Sequence, residues 1–170
     1  MEALQKLEVD SPLVELYVLD LVPLGGTVFR FTPHFAEGGS VAFAGSTYFS
    51  IPITSEGWEV TATGTQPRPT LTLSNVNKVM LDAVVSFGDI VGAKVTRLRT
   101  LGKYLDGGSN PDPNQFLEPD VFFVEQKVAH DKNAISWQLS SVIDKFGIKL
   151  PRRQVTKDYF PGISSSRGRW

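Results

Sequence analysis

The stretch "PLVELYVLDLVPLGGTVFRFTPHF", residues 12–35, constrains the fold more than any other. Its first half alternates with period two. Leu13, Glu15, Tyr17 and Leu19 point one way and Val14, Leu16 and Val18 the other, the signature of a strand. Apolar residues occupy both sets, so both faces of that strand are expected to be at least partly covered. Gly25 and Gly26 then separate it from a second β-rich run, Thr27 to Thr32, which predicts a hairpin.

The same pattern returns downstream. "VAFAGSTYFSIPI" places Gly45 and Ser46 between two short alternating runs, and "WEVTATG" continues with Trp58, Val60 and Ala62, so this part reads as a meander. In "GTQPRPTLTLSNV", Pro67 and Pro69 each lack a backbone donor and hold Arg68 extended, so strand pairing is expected only from Thr70 onward. Ser74 or Asn75 can cap a following helix, and the spacing of Val79, Leu81, Ala83 and Val84 predicts one principal helix around residues 76–87, ended by Gly88. "AKVTRLRTLGKYLD" is again a strand, with Val95, Arg97, Arg99 and Leu101 on one face. "DGGSNPDPNQ" is a loop by composition. "DVFFVEQKVAHDKNAISWQLSSV" reads as a hairpin turning at Asp131 to Asn133. The expected fold is therefore mainly β, a curled antiparallel sheet or small barrel with one helix. Residues 1–148 form a single domain, and residues 149–170 form an extended arm that gains order from a neighbour, because "FPGISSSRGRW" has little to bury.

Composition closes off most chemistry. The 170 residues contain no cysteine and two histidines, which excludes disulfides, thiolate metal sites and a cysteine nucleophile. His34 and His130 lack the spacing of a zinc site and read as turn or surface residues. Asp106, Asn110, Asp112 and Asn114 lack the ligand rhythm of a calcium loop. Glu118, Asp120 and Glu125 are scattered acids that nothing singles out as a glycosidase pair. The glycine pairs lack the lysine and hydroxyl residue of a phosphate loop. A net charge of −1 gives no general attraction to nucleic acid. The apolar runs fall far short of the roughly 20 residues needed to span a bilayer, and the charged N-terminus is not signal-like, so a soluble product of the cytoplasm is expected. The remaining candidates are interface residues. Arg68 is restricted before binding by its flanking prolines. Arg97 and Arg99 share a strand face, where they either pair with acids or stand in solvent. Arg152 and Arg153 follow Pro151 in the arm, and Phe160 and Trp170 are its apolar anchors.

Three words, "RPTLTLSN", "VGAKVTRLRTLGKYLD" and "LPRRQV", occur in that order, with "NPDP" after the second, and over residues 40–155 the chain resembles the minor tail protein L family of lambda-like tailed bacteriophages. The resemblance implies a structural protein of the virion tail tip, not an enzyme, assembled in the host cytoplasm. Its partners would be the distal tail protein above, the central hub below, and further copies of itself in a ring, a trimer ahead of a hexamer. Family members carry past the last word a cysteine segment that looks like an iron–sulfur binder. Here Phe160 stands where its first cysteine is expected, so no cluster is expected. Two other readings compete: a phage-associated glycan or peptidoglycan hydrolase built on carboxylates such as Glu118 and Glu125, and a carbohydrate-binding β module using Trp58 or Trp137.

Overall fold

In the computed structural model, residues 11–35, 38–59, 66–74, 86–131 and 134–142 are described. They form nine strands: β1 (Leu13–Asp20), β2 (Val28–Thr32), β3 (Ser40–Phe43), β4 (Ser46–Ser50), β5 (Ile53–Glu56), β6 (Thr70–Ser74), β7 (Lys94–Leu101), β8 (Asp120–His130) and β9 (Ala134–Ser140). All belong to one sheet in the order β3-β4-β2-β1-β7-β8-β9-β6-β5. The mainly β expectation holds, and each of the predicted hairpins is present. β6 begins at Thr70, directly after the second proline. The predicted helix at residues 76–87 falls almost entirely outside the described residues, and among those described no helix of comparable length occurs.

Two expectations need correction. The second and third β segments are not a meander, because β4 pairs with β2 in parallel, through Phe31–Phe49 and Thr32–Ser50. The sheet is therefore mixed, although every other pairing among the described residues is antiparallel. Among the described residues the sheet also stays open rather than closing into a barrel. The chain between β4 and β5 ties the two ends of the sheet to each other. The Ile51 amide donates to the Thr32 carbonyl at 3.0 Å and the Pro52 carbonyl accepts from the Ser74 amide at 2.9 Å, so this link leaves β2 and joins the opposite end of the sheet. The sheet curls enough for Ser55 on the edge strand β5 to reach Tyr17 on β1 at 2.6 Å.

β1 is the centre of this arrangement and, as its two apolar sets required, is covered on both sides. Tyr17 and Leu19 face the inside of the curl with Phe31, Leu71, Leu73, Val95, Ile135, Trp137 and Leu139. Val14 and Leu16 face the other side, covered by Val41 and Phe43 of β3, Tyr48 of β4, and Leu105 and Phe116 of the loop after β7. Burying each such side chain stabilises the fold by about 1.5–3 kcal/mol, so the sheet is held by two apolar layers sharing one strand.

The loop over residues 102–119 is tied down by backbone and side-chain contacts. The Asn110 amide donates to Lys103 O at 2.9 Å, the Leu117 amide to Arg99 O at 2.8 Å, and Thr100 Oγ1 to Gln115 O at 2.6 Å. Gly108 is needed there, since a Cβ would collide with the Gly102 and Lys103 carbonyl oxygens. Asp106 locks this loop to the β3–β4 hairpin. Ala44 and Gly45 form its two-residue turn with φ of 52° and 70°, a left-handed pair that suits the twist of the strands but strains alanine. The two successive amides point at one carboxylate, Ala44 N to Oδ1 at 3.0 Å and Gly45 N to Oδ2 at 2.9 Å, and the Asp106 amide returns a bond to Ala42 O at 3.0 Å.

Candidate functional site

The period-two alternation of β1 and β7 brings their polar residues to one place. In the antiparallel register Glu15 lies opposite Arg99 and Tyr17 opposite Arg97, while Arg97 lies opposite Asp120 on its other side. All five side chains therefore emerge on the inner face of the curl, near its mouth. Arg97 is 7% exposed. Its Nε and Nη2 donate to Asp120 Oδ2 at 3.0 and 2.8 Å, and Nη1 stands 3.6 Å from Glu15 Oε1. The indole of Trp58 caps the guanidinium, 3.9 Å from the ring centre. Trp58 in turn meets Phe122 edge-on at 5.2 Å and Tyr17 at 6.3 Å.

Tyr17 completes the cluster. Its hydroxyl donates to Glu15 Oε2 at 2.7 Å and accepts from Ser55. Burial pushes the phenol well above its ordinary value, and the hydrogen bond to Glu15 adds to the rise against the opposing effect of Ser55. This is the phenol of a structural contact, held neutral, and not a poised acid or base. Burial likewise raises Tyr48, opposed by Arg30.

Arg99 sits at the rim, where its Nη2 approaches Asp120 Oδ2 at 3.3 Å, so two guanidinium groups share one carboxylate oxygen. Its Nε is buried without a hydrogen-bond partner. Arg99 borders a groove of about 790 Å³ lined also by Phe116, Leu117, Glu118 and Phe122. Of the two alternatives open for the paired arginines, both make acidic pairs, and Arg97 is turned into the fold. Arg68 is half exposed and meets Glu125 at 3.4 Å. Arg152, Arg153, Phe160 and Trp170 lie outside the described residues.

The groups of the rival readings are scattered. Glu125 pairs with Arg68 on β8, whereas Glu118 is exposed in the loop. Trp137 is 1% exposed and so offers no bare face to stack on a sugar, while one face of the partly exposed Trp58 is covered by Arg97. Among the described residues no group of three or more His, Cys, Asp or Glu side chains is placed to hold a metal ion. The chain has no cysteine, so its residues do not fit an iron–sulfur cluster. Among the described residues no helix is long and apolar enough to cross a membrane.

Arg68, Arg97 and Arg99 are paired with acids of the sheet, and likeness to known proteins adds to that picture. The phage minor tail protein L family matches residues 22–168. The chain belongs to that family. It is also 28% identical over 153 residues to the tail tip protein L of Escherichia phage lambda, an alignment covering 89% of this chain. The chain spans 64% of that relative's length.

Trp58 as the cap of Arg97, Asp106 as the hairpin clamp, and the partnership of Glu15, Tyr17 and Asp120 with Arg97 are not legible in the sequence. The alternation of β1 and β7 carried part of the signal, because opposite charges at matching spacing on two strands suggest a cross-strand ladder.

Proposed function

We propose that this chain is a structural protein of a phage tail tip, joining the distal end of the tail tube to the central hub through ring-forming contacts, and that it is not an enzyme. The family match over residues 22–168 carries the reading. The ring is a trimer ahead of a hexamer, with the distal tail protein on one side and the hub on the other. Supporting it, β3 and β5 end an open sheet, and two unlike edges suit the repeated head-to-tail contacts that close a ring. Arg68 and Arg99, at the surface and partly exposed, are interface candidates in this reading. Residues 1–148 act as the assembling domain, and residues 149–170, with Arg152, Arg153, Phe160 and Trp170, dock on a neighbour. The chain binds no iron–sulfur cluster of its own. Labelling purified virions with an antibody to this chain tests the reading: label at the tail tip supports it, and virions that carry none overturn it.

A further inference from the structure

Residues 88–90 hold an unusual backbone. Gly88, Asp89 and Ile90 have φ of 61°, 60° and 56° in succession. Left-handed residues are normally single and are glycine or asparagine-like, and a β-branched residue there is a genuine outlier. Strain of this kind persists only where surroundings over-determine it.

The surroundings are identifiable. Ile90 is 1% exposed in the main core, so its side chain anchors the turn. Asp89 is clamped at two atoms: Lys127 Nζ donates to its Oδ1, and Trp137 Nε1 donates to its carbonyl oxygen at 3.2 Å. Lys127 and Trp137 are direct cross-strand partners in the β8–β9 hairpin. Register shifts lie on both sides of Lys127, between Val124 and Gln126 and between Lys127 and Ala129, and such bulges re-aim a side chain. Just beyond the turn, the Gly92 amide donates to Val124 O at 2.8 Å and the Val124 amide to Ala93 O at 2.9 Å, joining the same segment to β8.

We propose that the turn Gly88–Ile90 is a strained latch, closed by the Lys127–Trp137 pair of the β8–β9 hairpin and opened when that hairpin is displaced. In the closed state the clamp and the burial of Ile90 offset the left-handed backbone. Without the clamp the backbone relaxes toward right-handed φ, which carries Ile90 out of the core. The far end of the hairpin is the handle. Val128 is 57% exposed and Ala129 to Asp131 are exposed as well, so a contact made there moves Lys127 and Trp137 and is felt at the entry to β7.

Hydrogen exchange followed by mass spectrometry on the full chain tests the latch. Lys127→Met should speed exchange across residues 86–93 by about tenfold while leaving the β1–β7 ladder unchanged. Adding Asp89→Gly should return that segment to near wild-type protection, because glycine accepts the left-handed backbone without a clamp. Unchanged exchange in Lys127→Met, a uniform rise across the whole chain, or a double variant no better than the single overturns the proposal. Should Lys127→Met fail to fold, Asp89→Gly alone is the deciding variant. Protection of residues 86–93 at or above wild type supports the latch, and reduced protection overturns it.

Discussion

Replacing Arg97 by methionine tests how the curled sheet is closed at its mouth. The substitution keeps an unbranched stem of similar reach and removes the guanidinium that Asp120, Glu15 and Trp58 surround. Breaking a fully buried ion pair costs about 3–5 kcal/mol, because the abandoned partner stays desolvated. Here the side chains of Asp120 and Glu15 are each 29% exposed and recover some water, which lowers that share to about 2 kcal/mol. Loss of the cation over the indole adds about 1 kcal/mol. The expected total is about 3 kcal/mol, read as a lower urea midpoint by circular dichroism at neutral pH with an unchanged m-value. Asp120→Asn supplies the second arm of a cycle, and the coupling between the two should reach about 1.5 kcal/mol, since Arg99 retains part of the carboxylate's field. A loss below about 1 kcal/mol with no coupling is the behaviour of a solvated surface pair and contradicts a buried ion pair at Arg97.

Three further outcomes follow from the same contacts. The folded state holds the Tyr17 proton more tightly than the unfolded chain, whose ordinary value is 10.0, so the contribution of this residue to stability is intact below pH 10 and falls as pH rises above it. Unfolding midpoints at pH 9 and 11 should show that fall in the wild type and a smaller one in Tyr17→Phe; equal slopes contradict it. Asp106→Ala removes the acceptor for Ala44 and Gly45 and should cost about 1 kcal/mol, with faster exchange confined to the β3–β4 hairpin and the 102–119 loop; unchanged exchange there contradicts the clamp. Ending the chain after Val155 should leave the unfolding midpoint near the full-length value while reducing incorporation into tails, and undiminished incorporation removes the docking role from the last segment.

Local chemistry was legible in the sequence. Pro67 and Pro69 located the start of β6, the Gly25–Gly26 and Gly45–Ser46 pairs located two hairpins, and the two-sided apolar set of β1 announced a strand buried on both faces. Each of these features acts over a few residues, where turn geometry and period suffice. What stayed hidden depends on partners distant in the chain. The parallel pairing of β4 with β2 joins segments about 18 residues apart in the chain, and no local signal records it. Arg97 looked like Arg99 because both lie on one strand face. Only the register with Asp120, 23 residues away, and the arrival of Trp58 from another connection separate a buried guanidinium from a rim one. Asp106 belonged to a stretch that composition marked as loop, and its role became visible only when the turn at Ala44 and Gly45 was placed against it.

Reconstruction of the assembled tail tip decides whether this chain is built into it as a ring. Density for this β domain is expected in a closed ring of three or six copies about the tail axis, in contact with the distal tail protein on one side and the hub on the other. A tail tip that contains one copy, or none, contradicts that assembly.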